Sequence, residues 1–389
     1  MPSATRPQVV IVQQLLRRYR TAFFEALRAN LDSAGIDLRL VHSDVLTGLR
    51  WRPHDARIPW AEVRPARRIG GWRSSLLWQP IIGSTRDADL VIVEQATRLL
   101  ANYILFARQQ FGGPRVALWG HGRNYLVPEH TNTAPELVKR VLSRRAHWWF
   151  AYNDRTAEVV AGLGYPEERI AVVDNATDTR WLASQVDATT PAEVAAARES
   201  LGIKGENVCL FVGTLGAVKR FDRLFASADM IRSRVPDFEL VVIGNGMEEP
   251  VVAAWTAERP WAHHAGPRFG KDVVPLLAMA KLLLVPGWAG LVVVDSFAAC
   301  VPLVASASLP HPPEIAYLRD NVNGRLVDDG GDPAKYADAV VELLRDRTRR
   351  EELVRGCAET RGHYSTDAMA ARFATGVVAA LQRPTAGAD

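Results

Sequence analysis

The sequence predicts an α/β protein built as two Rossmann-like domains, each a doubly wound parallel sheet, facing one another across a cleft. Short Val/Ile-rich runs alternate with helical patterns along the chain, as in a parallel sheet with crossover helices. The length of 389 residues suits two domains, since domains run to ~100–200 residues. A polar, Ala-rich segment from Ala183 to Gly202 interrupts the alternation, which then resumes. The expected division is therefore 1–182 and 183–365, with a terminal helix over 366–383 packing back on the first domain.

In the first half the strands are expected at Val9–Gln13, Leu38–His42, Leu90–Glu94, Arg115–Trp119, Trp148–Ala151 and Ile170–Val173. Thr21–Leu31 carries Phe23, Phe24, Leu27 and Leu31 at helical spacing. Further helices are expected at Arg98–Arg108, Glu136–Arg145 and Arg155–Leu163. Thr190 before Pro191 marks a helix start. Beyond it come strands Val208–Val212, Phe238–Ile243, Leu282–Val285, Leu303–Ser306 and Asn323–Val327. The helices between and after them are Arg220–Arg234, Met247–Ala257, Val273–Ala280, Val292–Ala299 and Ala334–Arg345, with two more to finish the chain.

Composition narrows the function. Hydrophobic content of 48% and charged content of 23% are those of an ordinary globular protein. The three cysteines, Cys209, Cys300 and Cys357, show no metal-ligand spacing and suit a reduced, cytoplasmic setting. The opening residues lack a signal-peptide plan, because the apolar run Val9–Val12 is short and meets Gln13 and Gln14. No apolar stretch reaches the ~18 residues that span a bilayer. A net charge of +4 is too mild for a nucleic-acid partner. The basic residues are unevenly spread, however. Arg17, Arg18 and Arg20 precede Phe23 and Phe24, and Arg50, Arg52, Arg57, Arg64, Arg67, Arg68 and Arg73 interleave with Trp51, Trp60, Trp72 and Trp78. Such a surface suits anionic lipid at the inner membrane face or a pyrophosphate-bearing acceptor; a solvated Arg-rich face is the alternative.

Three segments of the second half carry the chemistry. In Phe211-Val212-Gly213-Thr214-Leu215-Gly216-Ala217-Val218-Lys219-Arg220 a strand ends in a glycine turn with a lysine just before a helix. Glycine admits an anion close to the backbone, the helix start attracts it, and Lys219 adds full charge. An exposed lysine at a βα turn is the plain alternative. Val242-Ile243-Gly244-Asn245-Gly246 is a second strand-end glycine turn, a partial dinucleotide fingerprint or simply a turn needing positive φ. In Val285-Pro286-Gly287-Trp288-Ala289-Gly290-Leu291-Val292 a strand runs through small residues into a helix. The amides of Gly290, Leu291 and Val292 are then uncapped donors suited to phosphate oxygens. Asp295, one turn in, suits a ribose diol or serves the helix dipole.

Taken in order, these segments resemble the donor domain of the retaining glycosyltransferase family 4, the glycosyl transferases group 1 of GT-B fold. The likeness runs from about Val208 to Val327 and includes Val301-Pro302-Leu303-Val304-Ala305 and Glu314…Asn323-Gly324-Arg325-Leu326-Val327. The first half resembles the acceptor domain more loosely, through Tyr19-Arg20…Phe23-Phe24, Trp119-Gly120-His121-Gly122-Arg123-Asn124 and Asn175…Asp178. The resemblance implies a metal-independent enzyme without cofactor. It would move a sugar, with retention, from a nucleoside-diphosphate sugar to a hydroxyl of a glycan, lipid-linked or small-molecule acceptor. It implies that Lys219 neutralises the donor pyrophosphate, that Asp295 takes the ribose, and that His121 sits beside the donor sugar. Arg268 and Phe269 are the expected neighbours of the base. Three positions depart from the family pattern: Thr214 stands for an arginine, Gly287 for the first glutamate of a pair, and Asp295 for the second. An inactive partner of the same fold, or a sugar-nucleotide epimerase, would share most of these features. Asp87-Ala88-Asp89 has the spacing of a metal-binding pair, but it directly precedes a strand and reads as a turn.

Overall fold

The computed structural model describes residues 5–43, 56–70, 76–123 and 134–384. Arg50, Trp51, Arg52, Trp72, Arg73 and Asn124 lie outside the described residues. The chain divides into two compact units, Met1–Asn175 with Thr366–Asp389, and Ala176–Ser365.

The first unit contains strands β1 (Gln8–Gln13), β2 (Asp37–His42), β3 (Glu62–Val63), β4 (Arg67–Arg68), β5 (Leu77–Trp78), β6 (Leu90–Glu94), β7 (Arg115–Gly120), β8 (Trp148–Ala151) and β9 (Ile170–Val172). Seven of them form a sheet in the order β3-β2-β1-β6-β7-β8-β9, parallel throughout. β4 and β5 make a separate antiparallel pair. Val9, Val10, Ile11, Leu90, Val91 and Ile92 are all buried, because helices cover both faces of a parallel sheet. That is why these strands are continuous apolar runs rather than alternating ones.

The crossovers are α1 (Thr21–Ser33), α2 (Leu100–Gln110), α3 (Ala134–Arg145) and α4 (Asp154–Gly162). The Asn153 side chain caps α4 by accepting from the Thr156 amide. The last helix of the chain, Thr366–Gln382, packs on this unit. Its Phe373 ring stacks on Phe150 with centroids 4.1 Å apart, and meets Trp119 edge-on at 5.0 Å. Gly376 permits that approach: a Cβ there would lie 2.7 Å from Ala171 Cβ.

The second unit runs α5 (Thr179–Asp187), α6 (Pro191–Leu201), β10 (Asn207–Val212), α7 (Phe221–Arg234), β11 (Phe238–Ile243), α8 (Glu249–Ala257), β12 (Ala262–Gly266), α9 (Val274–Met279), β13 (Leu282–Val285), α10 (Val292–Ala299), β14 (Leu303–Ser306), β15 (Gly324–Val327), α11 (Pro333–Arg345) and α12 (Arg347–Thr360). The final helix becomes α13. The parallel sheet has the order β12-β11-β10-β13-β14-β15. Thr190 and Glu193 form a reciprocal capping box at α6.

The two-residue strands β3, β4 and β5 are absent from the sequence expectation, being too short to show a pattern, and so are α5 and β12. α5 packs against α10, which draws Thr179–Asp187 into the second unit. The division thus falls at Asn175/Ala176 rather than at 182/183. β12 has the sequence Ala-His-His-Ala-Gly, which hides a strand, because an edge strand needs only one apolar face. Here His263 pairs with the buried Glu239 of β11 at 2.6 Å.

Removing the Phe373 ring tests the docking of α13. Phe373→Ala is expected to lower stability by about 3–5 kcal/mol, the range for a buried aromatic, in urea denaturation. A loss under about 1 kcal/mol contradicts this packing.

Candidate functional site

In a doubly wound sheet, ligands bind at the carboxyl ends of the strands where the chain order reverses. In the second unit that point lies between β10 and β13. The segments leaving these strands are Gly213–Lys219 and Pro286–Leu291.

The turn after β10 is braced from one side. Gly213 takes φ +150° and donates to the Ile243 carbonyl at 3.0 Å. Leu215 donates to Asn245 O at 2.8 Å, and Glu248 N donates to Leu215 O at 2.9 Å. A Cβ on Gly244 would lie 1.9 Å from Gly213 O, and one on Gly246 2.1 Å from Leu215 O. Gly244 and Gly246 are therefore required where the turns after β11 and β10 cross. They shape the site from behind.

Lys219 ends a short 3-10 turn, and Arg220, at φ +56°, redirects the chain into α7. The lysine side chain folds back across the strand ends. A Cβ on Gly213 would lie 3.8 Å from its Nζ, and Nζ donates to the Trp288 carbonyl at 2.5 Å. Burial lowers the ammonium pKa to about 8. The lysine is thus held inward, on the loop that opens α10.

That loop is locked to the lysine turn. Trp288 N donates to Val218 O at 3.0 Å. A Cβ on Gly287 would stand 2.5 Å from the Lys219 carbonyl and from Val218 O. No side chain fits position 287 while the loops pack this way, which accounts for a glycine where the family pattern has glutamate.

Further along, Ala289 N donates to His311 Nδ1 at 3.0 Å, while His311 Nε2 lies 2.6 Å from Ser306 O. An amide only donates and a carbonyl only accepts, so His311 is neutral with its proton on Nε2. No local pattern marks this buried histidine, which steadies the loop from the segment after β14. The next amides, of Gly290, Leu291 and Val292, have no acceptor among the described residues, and α10 has no side-chain cap. They are the bare donors of a helix start. On the same helix the Thr177 hydroxyl donates to Asp295 Oδ1 at 2.7 Å. Burial nevertheless raises the Asp295 carboxyl to about 6.

The structure thus gathers Gly213, Lys219, Gly290, Leu291, Val292 and Asp295 at two adjacent strand ends. Thr214 is exposed on the same turn. Arg268 and Phe269 are exposed after β12, two strands out from β10.

In the first unit, His121 follows β7. Its ring lies 4.1 Å from that of Tyr152. Gly122 takes φ +74° under Val159 and Val160, and its carbonyl accepts from Gln95 at 3.0 Å. Burial, reinforced by the charges of Arg20 and Lys139, lowers the His121 pKa to about 4, so the imidazole is neutral at pH 7. Arg20 is 3% exposed, spreads its guanidinium 4.2 Å over Trp119 and donates to the Tyr152 hydroxyl at 3.1 Å. Asp89 accepts from Gln8 N at 2.8 Å and ties a turn to β1. Among the described residues no three His, Cys, Asp or Glu side chains group as metal ligands, and no helix is long and apolar enough to cross a membrane.

Two doubly wound sheets, one with a lysine and bare helix amides at its switch point, define a protein of the GT-B class. Residues 193–359 match the family described as glycosyl transferases group 1. The D-inositol 3-phosphate glycosyltransferase of Salinispora tropica is 31% identical over 215 residues, 51% of this chain and 44% of that protein. The chain spans about half the length of the curated relatives it matches. Among solved structures, Anabaena HepE in complex with UDP and glucose matches 96% of this chain and 99% of its own, with a TM-score of 0.70 and 15% identity. A glycosyltransferase from Rickettsia africae matches 97% and 100%, with a TM-score of 0.69 and 10% identity.

The lock between the loops is testable at position 287. Gly287→Ala is expected to cost about 1–3 kcal/mol of stability, as overpacking does. Wild-type stability in urea denaturation would show that the loops do not pack as described.

Proposed function

We propose that the chain is a metal-independent glycosyltransferase that moves a sugar from a nucleoside-diphosphate sugar to an acceptor hydroxyl, with retention of configuration. One observation carries this reading: an ammonium desolvated enough to bring its pKa to about 8, placed on the loop whose next amides are bare. Buried charge is costly without a partner, and a diphosphate supplies one. HepE, of the same fold, was solved with UDP and glucose, which supports a ligand of this kind here.

In the proposed reaction Lys219 and the amides of Gly290, Leu291 and Val292 take up charge that develops on the departing diphosphate. The bond from the anomeric carbon to the diphosphate oxygen breaks. A bond to the acceptor oxygen forms on the same face, and the hydroxyl proton passes to the leaving phosphate. Asp295 accepts from the ribose hydroxyls, with Thr177 holding one carboxylate oxygen. The first unit serves the acceptor, and neutral His121 offers a hydrogen bond to a sugar hydroxyl. The acceptor, in this reading, is a glycan, a lipid-linked molecule or a small molecule. The three thiols are free, in keeping with the cytoplasmic setting proposed for the chain.

A thermal-shift series with UDP, GDP, ADP and dTDP tests donor binding, because a ligand of the native state raises its melting point. One diphosphate is expected to stabilise the wild type, and Lys219→Ala to weaken it by about 1.5–3 kcal/mol, roughly 10–150-fold. No shift with any diphosphate would favour an inactive partner protein and defeat the proposal.

The lysine also sets a pH dependence. The charged fraction falls as pH rises through its pKa of about 8. Diphosphate affinity is therefore expected to decline above about pH 8 in the wild type and to stay flat over that range in Lys219→Ala. A parallel decline in both would remove Lys219 as the cause.

A further inference from the structure

Arg220, between Lys219 and α7, holds its backbone in the left-handed region, at φ +56° and ψ 55°. A Cβ crowds the neighbouring carbonyl there, so glycine is the ordinary occupant and asparagine the next. The backbone bonds at this position need no side chain. Arg220 N donates to Ala217 O at 3.1 Å, and Arg220 O accepts from Arg223 N at 3.0 Å and from Leu224 N at 3.1 Å. Glycine would make all of them without strain. An arginine held in such a conformation points to work for its side chain.

That side chain is weakly engaged. Its guanidinium pairs with Asp222 through both carboxylate oxygens: Nε donates to Oδ1 at 2.9 Å and Nη2 to Oδ2 at 2.6 Å. The pair is open to solvent, with the arginine side chain 36% and the aspartate 62% exposed. An exposed ion pair contributes little to stability, so little is lost when another anion replaces the aspartate. The planar fork fits two phosphate oxygens as it fits two carboxylate oxygens.

Arg220 also stands at the rim of the donor site. A Cβ on Gly287 would lie 2.5 Å from the Lys219 carbonyl carbon, the atom to which Arg220 N is bonded. The arginine therefore flanks the loop that receives the Lys219 ammonium and leads to the bare amides of Gly290, Leu291 and Val292. A diphosphate carries charge on each of its phosphates. Lys219 answers one of them, and its own charge fades as pH rises through about 8. A guanidinium stays charged throughout.

We infer that Arg220 is the second cation of the donor site: its guanidinium leaves Asp222, which holds the place of an anion in the empty site, and takes phosphate oxygens of the bound diphosphate. This deepens the glycosyltransferase reading, on which the word donor rests.

The test is calorimetric titration of the full chain with inorganic pyrophosphate at constant ionic strength. Arg220→Gly and Arg220→Asn are each expected to weaken binding at least about tenfold, as the loss of a charged hydrogen bond does. Their unliganded melting points are expected to equal or exceed that of the wild type, because both residues accept this backbone. Asp222→Asn frees the guanidinium and is expected to tighten binding, a gain that disappears when it is combined with Arg220→Gly. Wild-type affinity in Arg220→Gly, with binding lost in Lys219→Ala, overturns the inference and leaves the donor reading standing. A lowered melting point with unchanged affinity marks an arginine that serves the fold alone and overturns it too. So does a gain from Asp222→Asn that survives beside Arg220→Gly, since the aspartate then acts through its own charge. A wild type that ignores pyrophosphate also defeats the inference, while the thermal-shift series with nucleoside diphosphates decides the donor reading separately.

Discussion

The second unit is organised around one buried contact, the Lys219 ammonium on the Trp288 carbonyl. A lysine removed from water with no carboxylate beside it gives up hydration that one carbonyl only partly restores. Burial accordingly lowers its pKa. The geometry around it leaves little freedom to relieve the strain. Gly287 must be glycine for the loop to reach the lysine turn, and Gly244 and Gly246 must be glycine for the turn to be braced from behind. Even the histidine that steadies Ala289 is fixed in one tautomer by its two backbone contacts. Three strand-end segments thus lock one another, and what they hold in place is positive charge and bare amides.

Both units repeat one architectural logic. Parallel strands direct their carboxyl ends to a common edge, and the reversal of strand order opens a gap there. In the second unit that gap receives a lysine and a helix start; in the first it receives arginines, and the neutral histidine stands one strand further out, after β7.

Much of this was legible from the sequence. Phe238–Ile243, Leu282–Val285 and Leu303–Ser306 are strands at the boundaries read from their apolar runs, because they are buried on both faces. That Lys219 and Gly290 to Val292 stand at adjacent strand ends was legible because glycine turns and small residues after apolar runs mark where strands stop. The roles of Gly244, Gly246 and Gly287 were not. Each answers to backbone that passes within 2.5 Å of its missing Cβ, and such contacts leave no trace in spacing. β12 was hidden because His263 faces a buried carboxylate, and α5 because its packing partner lies far along the chain. Arg20, Thr177 and His311 were missed as site residues for the same reason, since each acts on a group distant in sequence.

A crystal structure of the chain with its stabilising nucleoside diphosphate tests the central claim most directly. The account expects a β-phosphate oxygen within about 3 Å of Lys219 Nζ, the length of a charge-assisted hydrogen bond, with further oxygens on the amides of Gly290, Leu291 and Val292. A diphosphate bound elsewhere, with the ammonium still resting on the Trp288 carbonyl, would contradict it.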